Sequence, residues 1–279
     1  KVFRKIEPGT NLDAEILGAL DGSGCAVPAM FGRLVGAWPP GASTDLGMVI
    51  ERVAGAQDGW VIATAACAAE ADFAADAHAL GRELARVHGA MHDLFGTEDA
   101  SGDDLADLMT ARLDDAVVAA GVLAPYRDAL VASFGSLRGR RLEVQRVHGD
   151  FHLGQTLRSP VGWTIIDFEG EPAKTAAERR AFDSVWRDVA GMLRSFDYVR
   201  SAHAEPGSDA ARAWARQADT AFREGYCGTT GVPADLLAAY ETDKAVYEVV
   251  YETRNRPDWV TIPLRAVADL AASASGEKN

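Results

Sequence analysis

Residues 147–171 read VHGDFHLGQTLRSPVGWTIIDFEGE, and this stretch decides how the rest of the chain is interpreted. It predicts a strand, a turn and a second strand, with polar residues where the strands begin and end. Because loops at one end of a hairpin lie side by side on a rigid scaffold, we expect their side chains to converge on one site. The polar residues in question are His148, Asp150, Gln155, Asp167 and Glu169.

The spacing of these residues matches the catalytic elements of protein kinases. Asp150 lies two positions after His148 and five before Gln155, the spacing of the loop H-x-D-x-x-x-x-N with Gln in the Asn position. Asp167 ends an apolar strand, as the metal-binding Asp of D-F-G does. Asp150 would then orient or deprotonate an acceptor hydroxyl. Gln155 and Asp167 would bind Mg²⁺ through oxygen atoms, with Glu169 as a further ligand.

Other roles are open for some of these side chains. His148 fits a core histidine that hydrogen-bonds the loop backbone better than it fits direct chemistry. A hydrolase interpretation instead makes His148, Asp150 and His152 a metal triad. His88 and His92, four positions apart on a predicted helix, have a spacing that can hold zinc. No HExxH glutamate accompanies that pair, so a packing or surface role is favoured.

The composition excludes several classes of partner. The 279 residues include 28 Lys and Arg against 41 Asp and Glu, a formal net charge of −13 that opposes binding to nucleic acid or an anionic membrane. Three cysteines without CxxC spacing indicate neither a disulfide framework nor a cysteine metal site. No apolar run is long enough to span a bilayer. We therefore expect a cytoplasmic monomer or weak dimer that acts on a small molecule.

The chain divides into a short strand-rich part and a longer helical part. KVFRKI reads as a strand, NLDAEILGAL as a helix, and FGRLVGAW and LGMVIERV as two strands joined by a Pro/Gly loop. From Asp72 onward apolar residues recur at helical spacing, and three more amphipathic helices follow the hairpin. The predicted units are residues 1–53 and residues 54–279.

These motifs resemble the actinobacterial maltokinases and the related glucosamine kinases. The likeness rests on HGDFHLGQ, IIDFEGEP and DSVWRDVAGMLRSFDY, and it extends to KVFRK, LGMVIERV, LGRELARVHG and YEVVYETRNRPDWVTIPL. It covers nearly the whole chain. The resemblance implies an α+β, bilobal protein-kinase-like fold of the aminoglycoside phosphotransferase type, with an incomplete N-lobe and a mostly helical C-lobe. It also implies an ATP-dependent sugar kinase that uses Mg²⁺.

The resemblance assigns roles to further residues. Lys1 takes the place of the strand lysine that contacts the ATP phosphates, and Glu15 that of the helix glutamate that pairs with it. Asp188 resembles the helix aspartate that braces the catalytic loop, and His148 would support the same loop. The interlobe linker whose backbone would bind adenine comprises Ile50, Glu51 and Arg52.

One departure from the family concerns the start of the sequence. Family members carry a phosphate-covering loop, further strands and a cap subdomain before the lysine, whereas this sequence begins with Lys1. We therefore expect residues 1–53 to form only part of an N-lobe on the ATP side. Residues 54–279 would hold the catalytic loop and the acceptor site.

The last long helix carries side chains suited to a sugar. Glu248 and Glu252 lie four positions apart, as do Tyr247 and Tyr251, so carboxylates and aromatic rings form adjacent stripes. Carboxylates bind hydroxyl groups, and aromatic rings pack on the apolar face of a sugar. An equally open alternative makes the tyrosines core residues and pairs Glu248 with Lys244. The expected acceptor site consists of Asp150, His152, Glu248, Tyr251, Glu252, Asn255 and Trp259.

The acceptor is expected to be glucosamine, giving glucosamine 6-phosphate, or maltose, giving maltose 1-phosphate. The carboxylates of Glu248, Glu252 and Asp258 would attract a cationic amino sugar. The likeness to maltokinases supports a neutral disaccharide as strongly as these charges support an amino sugar. An aminoglycoside-type small-molecule phosphotransferase and a non-catalytic binding module with a kinase fold are the alternatives.

Overall fold

The structure is a computed structural model that describes residues 1–37, 40–228, 231, 233–274 and 276. Trp38 and Pro39, predicted to end a strand and begin a loop, lie outside the described residues. Among the described helices, none combines the length and the apolarity that crossing a bilayer requires.

A two-stranded sheet with one helix against it forms the first part of the fold. Helix α1 (Leu12–Leu20) begins after Asn11, whose side chain accepts two backbone N–H groups of the first turn. Strands β1 (Met30–Ala37) and β2 (Ser43–Ile50) pair antiparallel, as the sequence predicts. The apolar side of α1 is buried in the core through Ile16, Leu17 and Leu20.

The strand predicted at the start of the sequence is present as a short edge segment. Lys1 exchanges backbone hydrogen bonds with Met48 of β2, and the N–H of Phe3 donates to the carbonyl of Leu46. These bonds place residues 1–3 antiparallel beside β2. Lys1 is thereby fixed at the edge of the sheet, although regular strand geometry does not continue through KVFRKI.

The rest of the described chain is mostly helical, as predicted. The periodic stretch from Asp72 forms helix α3 (Ala74–Phe95), which packs along helix α8 (Asp209–Cys227). A β carbon on Gly81 would lie 2.1 Å from the carbonyl oxygen of Phe222, so this approach of the two backbones requires glycine. The other helices are α2 (Gly59–Ala68), α4 (Gly102–Ala119), α5 (Arg127–Gly135), α6 (Ala176–Arg180), α7 (Trp186–Ser201), α9 (Ala234–Asn255) and α10 (Thr261–Ala274).

Two small sheets are set among the helices. Strands β3 (Gln57–Asp58), β6 (Thr156–Ser159) and β7 (Gly162–Ile165) form an antiparallel sheet in the order β3-β6-β7, and β4 (Thr97–Ser101) pairs with β5 (Arg141–Gln145). The hairpin of β6 and β7 is the strand, turn and strand predicted from the opening stretch. The N–H of Ile165 donates to the carbonyl of Ala26, which links the hairpin to the first part of the chain.

One apolar core extends through both predicted units. Leu17 and Met48 from the first unit share a buried cluster with Leu80, Phe168 and Phe196 from the second. Strand β2 ends before the predicted boundary, and helix α2 begins after it. The division between residues 53 and 54 stays a prediction.

Candidate active site

A buried carboxylate of α7 holds the loop that follows β5. The Asp188 oxygens accept the backbone N–H groups of His148 at 2.7 Å and of Gly149 at 2.8 Å. A third bond, of 2.9 Å, joins Asp188 to Nε2 of His88. Burial raises the pKa of the Asp188 carboxyl, but these hydrogen bonds and the neighbouring histidines outweigh burial and hold the pKa below its usual range. The contacts fit the support role predicted for Asp188, which stays a prediction.

Helix α7 also fixes the continuation of the loop. The N–H of Leu153 donates to Oγ of Ser195 at 3.1 Å. A β carbon on Gly191 would lie 2.5 Å from the carbonyl oxygen of Phe151, so the loop can approach the helix only because this residue is glycine. Asp188 and Gly191 are three positions apart and therefore share the helix face that contacts the loop.

His148 connects the loop to the hairpin. Its Nε2 lies 3.0 Å from the carbonyl oxygen of Ile166, and its Nδ1 accepts the N–H of Asp150 at 3.4 Å. The ring packs against Phe168 with 4.9 Å between centroids. Because both ring nitrogens are used, neither is free for a metal. The alternative triad of His148, Asp150 and His152 is therefore not formed among the residues that the structure describes.

The two histidines of α3 serve separate contacts. His88 bonds to Asp188 through Nε2 and to the Tyr226 hydroxyl through Nδ1 at 2.8 Å. His92 lies at the surface, where Nδ1 is 3.0 Å from Asp93. His88 is thus a buried, hydrogen-bonded side chain and His92 is exposed, which agrees with the packing or surface role favoured over zinc.

The Asp150 carboxylate meets a lysine of α9. Lys244 Nζ donates to Asp150 Oδ1 at 3.0 Å and lies 4.0 Å from Glu171. Burial raises the pKa of the Asp150 carboxyl, but the Lys244 ammonium and His152 outweigh burial and hold the pKa below its usual range. Asp150 is thus ionised near neutral pH, as a proton acceptor must be. The alternative that pairs Lys244 with Glu248 is wrong, because Lys244 is turned toward the loop that follows β5.

His152 lies beside Asp150 with one ring nitrogen bound to the loop. Its Nδ1 accepts the N–H of Gly154 at 3.0 Å, so the neutral ring carries its proton on Nε2. Burial lowers the pKa of His152, although the Asp150 carboxylate opposes that effect. The imidazole is therefore neutral at physiological pH.

A lysine and three carboxylates gather beside the hairpin. Lys1 Nζ lies 2.8 Å from Asp13 Oδ2 and 2.5 Å from Asp167 Oδ1. It also lies 2.7 Å from Glu169 Oε1. Burial lowers the pKa of the Lys1 ammonium, but the carboxylates, Asp13 foremost, raise it well above its usual value. Oxygens of the three carboxylates lie within 4.8 Å of one another, a donor set that suits a hard divalent cation.

Lys1 pairs with Asp13 and not with Glu15, so the predicted partner is wrong. Glu15 is bound instead by Arg146 at 3.1 Å and by Arg180 at 3.2 Å. Each residue turns the helix by about 100°, so side chains two positions apart leave α1 in different directions. The sequence shows both acidic residues in the first turn of α1 but does not show which of them faces the sheet edge.

Asp167 has an unusual backbone conformation. Its φ is 68°, and it is one of two non-glycine residues with positive φ in the described chain. Such a conformation costs on the order of 1–3 kcal/mol and persists where the surroundings fix it. The next residue, Phe168, donates its N–H to Asp13 Oδ1 at 2.9 Å. The N–H of Ile166 donates to the carbonyl of Gln155 at 3.0 Å, so Gln155 lies at the same end of the hairpin as Asp167.

The segment predicted to bind adenine follows β2. The N–H of Glu51 donates to the carbonyl of Ala29 at 2.8 Å, and the Glu51 carboxylate accepts the N–H of Ala29 at 3.3 Å. Because the chain itself uses this N–H, an adenine ring here would have to bond to the Glu51 carbonyl or to backbone groups of Ile50 or Arg52. The assignment of this linker to adenine stays a prediction.

A cavity of about 460 Å³ opens beside Asp150. The loop that follows β5 and helices α7 and α9 contribute most of its lining. The residues of the predicted acceptor site that line it are Asp150, His152, Glu248, Tyr251, Glu252 and Trp259. Tyr247, from the predicted aromatic stripe, lines it as well. The sequence did not point to the other lining residues: Trp60, Gly154, Pro172, Gly191, Ser195, Tyr198, Lys244 and Arg256.

The two glutamates of the cavity wall are held in ion pairs. Arg194 Nε donates to Glu248 Oε2 at 2.9 Å. Glu252 accepts bonds of 2.9 and 2.6 Å from Arg256 and a bond of 3.0 Å from the Tyr198 hydroxyl. These bonds offset the cost of removing the carboxylates from water. Burial nevertheless raises the pKa of Glu248, against the opposing charge of Arg194.

Aromatic rings form another part of the wall. Tyr198 and Trp259 stack with 6.4 Å between centroids. The Arg256 guanidinium lies 4.7 Å from the centroid of Trp259 and 5.6 Å from that of Tyr251. Rings held in this way offer flat apolar faces next to charged groups, the combination that suits a sugar ring.

Two expectations for the end of α9 are wrong. Asn255 does not line the cavity, because its side-chain amide turns back to the carbonyl of Tyr251 at 2.9 Å and satisfies an acceptor of the last helical turn. The alternative that makes Tyr247 and Tyr251 core residues is wrong as well. Both line the cavity, and Tyr251 is 42% exposed.

Two relatives of the chain are described as glucosamine kinases. The protein from Streptacidiphilus jiangxiensis is 30% identical over an alignment 298 positions long, gaps included, that covers 95% of this chain and 66% of the relative. The protein from Mycolicibacterium smegmatis is 30% identical over 251 residues, which cover 80% of this chain and 62% of the relative. The chain thus spans slightly less than two thirds of the length of these curated relatives. No family model matches it.

Solved structures share the fold. A glucosamine kinase in complex with glucosamine, ADP and inorganic phosphate superposes with a TM-score of 0.84 at 25% identity, over 98% of this chain and 77% of that one. The aminoglycoside phosphotransferase APH(4)-Ia superposes with a TM-score of 0.56 at 14% identity, over 97% of this chain and 86% of that one. The predicted α+β, protein-kinase-like fold is thereby confirmed. The chain is a homologue of the glucosamine kinases, with the aminoglycoside phosphotransferase-like fold.

Proposed function

We propose that the protein is an ATP-dependent sugar kinase that transfers the γ-phosphate of ATP to a hydroxyl group of glucosamine. The observation that carries this proposal is the position of the ionised Asp150 carboxylate. It lies at a cavity of about 460 Å³ whose other walls include carboxylates, the Arg256 guanidinium and aromatic rings. A proton acceptor beside a sugar-sized cavity is what phosphorylation of a sugar requires.

Asp150 acts on the acceptor. A sugar hydroxyl in the cavity donates a hydrogen bond to the Asp150 carboxylate, which orients the hydroxyl oxygen toward the γ-phosphorus. As the new oxygen–phosphorus bond forms, the hydroxyl proton passes to Asp150. The bond between the γ-phosphorus and the bridging oxygen breaks, and ADP leaves with that oxygen. His148 and Asp188 contribute by holding the loop.

The Lys1 cluster would serve the phosphates of ATP. Lys1 would contact phosphate oxygens, and Asp13 would hold Lys1 in place. Gln155, Asp167 and Glu169 would hold Mg²⁺. Two of these residues fit this ion, because carboxylate oxygens of Asp167 and Glu169 lie within 4.8 Å of each other. When bound, Mg²⁺ neutralises charge on the phosphate oxygens.

The cavity wall supports a sugar with hydrogen-bonding groups on several sides. Charge alone does not select a cationic sugar, because Glu248 and Glu252 are each paired with an arginine. The electrostatic preference expected from the sequence is therefore weaker than the number of acidic residues indicates. Glucosamine is favoured over maltose because the relatives are described as glucosamine kinases. Phosphorylation at the 6-hydroxyl is part of this proposal.

The test is a screen of ATP consumption with the full-length protein against glucosamine, maltose, glucose and an aminoglycoside. We expect turnover with glucosamine, and ³¹P and ¹³C spectra of the product that identify a phosphate ester at the 6-position. Asp150→Asn should fold normally and lose at least about 10²-fold in kcat, the range associated with removal of an acid–base group. If Asp150→Asn consumes ATP with glucosamine at the wild-type rate, Asp150 is not the proton acceptor. Turnover with maltose but not with glucosamine would show that maltose is the acceptor.

A further inference from the structure

Lys244 is a buried cation held on several sides. Its side chain is 14% exposed. Nζ lies 3.0 Å from Asp150 Oδ1, 4.0 Å from Glu171 and 4.9 Å from the centroid of the Tyr247 ring. A lysine with this many partners has little freedom to change rotamer, so it presents its charge to Asp150 in a fixed direction.

The contact engages one of the two Asp150 oxygens. Within the described part of the chain, no hydrogen bond reaches Oδ2. A carboxylate with one oxygen bound cannot rotate freely about its last bond, so the position of the second oxygen is set by the first. The residues beside it are those of the cavity, which Asp150 and Lys244 both line. Lys244 thereby leaves Oδ2 as the oxygen available to an acceptor hydroxyl.

The same contact keeps Asp150 charged in a largely dry environment. The Asp150 side chain is 18% exposed, and removal from water disfavours its ionised form. Lys244 makes the largest contribution against this effect, ahead of His152 and His148. Without Lys244, burial would raise the pKa of the Asp150 carboxyl and reduce the fraction able to accept a proton near neutral pH.

We propose, on the basis of the sugar kinase function above, that Lys244 is a positioning residue for the reaction. It fixes the orientation of the Asp150 carboxylate and holds that group ionised, and it acts on the acceptor through Asp150. Lys244 comes from α9, about ninety positions from the loop it serves, so the motif HGDFHLGQ gives no indication of it.

The test compares Lys244→Met, Lys244→Arg and the matched surface change Lys5→Met in the full-length protein. Lys5 is 73% exposed and lies outside the cavity, so Lys5→Met should behave as wild type. Lys244→Met should lower kcat for glucosamine by at least about tenfold and move the acidic limb of the kcat–pH profile upward by about one pH unit or more. Lys244→Arg keeps the charge, so the acidic limb should return toward its wild-type position even where kcat stays reduced.

A second measurement separates this proposal from the function on which it rests. Titration of the Asp150 carboxyl carbon by ¹³C NMR, without substrate, should give a higher pKa in Lys244→Met than in wild type or Lys244→Arg. If wild type does not phosphorylate glucosamine, the acceptor assignment fails and this titration still decides the role of Lys244. An unchanged carboxyl titration would overturn the proposal. A raised KM with an unshifted pH profile would overturn it too, because that result makes Lys244 a contact of the acceptor itself.

Discussion

The Lys1 ammonium lies 2.8 Å from the Asp13 carboxylate, and this pair ties the edge of the first sheet to the start of α1. The second Asp13 oxygen accepts the N–H of Phe168, the residue after Asp167. Asp13 therefore contacts both the lysine expected to meet ATP phosphates and the loop expected to hold the metal. This single buried carboxylate sets the position of Lys1 relative to the loop that contains Asp167.

Replacement of Asp13 should affect the nucleotide more than the acceptor. Asp13→Asn keeps the shape of the side chain but removes the charge that faces Lys1, so we expect KM for ATP to rise at least about tenfold and the unfolding free energy to fall by about 1–3 kcal/mol. KM for glucosamine should change little. Steady-state kinetics and urea unfolding measure these effects.

Glu15→Gln is the matched control for that prediction. Glu15 lies on the same helix and pairs with Arg146 and Arg180 rather than with Lys1. We expect its KM for ATP to stay within about threefold of wild type. A larger effect of Glu15→Gln than of Asp13→Asn would show that Glu15 is the partner of the lysine during catalysis, as the resemblance to the family implies.

The hydrogen bonds that Asp188 accepts should make that residue important for the stability of the fold. An Asn side chain has one acceptor oxygen, and its amide nitrogen would face either the His148 or the Gly149 N–H, donor against donor. Asp188→Asn should therefore lower the unfolding free energy by about 1–3 kcal/mol, measured by urea unfolding. Asp128→Asn serves as control, because its carboxylate is 98% exposed and the change should stay within about 0.5 kcal/mol.

Much of the fold follows from local patterns in the sequence. Apolar residues at helical spacing predict α3, and alternation around a turn predicts the hairpin of β6 and β7. These elements form where expected because the pattern of residues within each one determines its secondary structure. The loop that carries His148 and Asp150 was recognisable for the same reason, since its spacing is contained within eight positions.

The contacts between distant elements were less predictable. Whether Asp13 or Glu15 faces Lys1 depends on how α1 is rotated against the sheet, which its own sequence does not fix. Lys244 and Glu248 have the spacing of a helical ion pair, yet Lys244 pairs with Asp150 and Glu248 pairs with Arg194. Local pairs on helices contribute only about 0.2–0.5 kcal/mol, so a buried partner from another element readily replaces them.

A pair of half-buried carboxyl groups away from the active site should make stability depend on pH. Glu241 of α9 has its pKa raised to about 7 by burial and by the nearby Asp219 carboxylate of α8. Arg223 and Arg194 oppose the shift, and Asp197 adds to it. Among the described residues, Oδ1 of Asp219 is buried without a hydrogen-bond partner.

The sign of the effect follows from proton binding. Below pH about 4.5 Glu241 is protonated in both states, and between about 4.5 and 7 the folded state binds more protons than the unfolded state. The unfolding free energy should therefore fall as pH rises through this window. Glu241→Gln removes this dependence, so at pH 8 we expect it to be more stable than wild type by on the order of 1–3 kcal/mol. The exposed Glu224 of α8 provides the control variant, Glu224→Gln, whose pH curve should parallel that of wild type.

The wall of the cavity gives a prediction that distinguishes Glu252, which lines the cavity, from Asn255, which does not. Glu252 lines the cavity and is held by Arg256 and Tyr198, whereas Asn255 bonds to its own helix and does not line the cavity. Glu252→Gln should raise KM for glucosamine at least about tenfold, because it removes a fixed acceptor for hydroxyl or ammonium groups and loosens Arg256. Asn255→Ala should leave KM for glucosamine within about twofold. Thermal unfolding of both variants shows whether the fold is kept, since Glu252 is 1% exposed. Equal KM values for Glu252→Gln and wild type, in a folded variant, would place the sugar elsewhere than against α9.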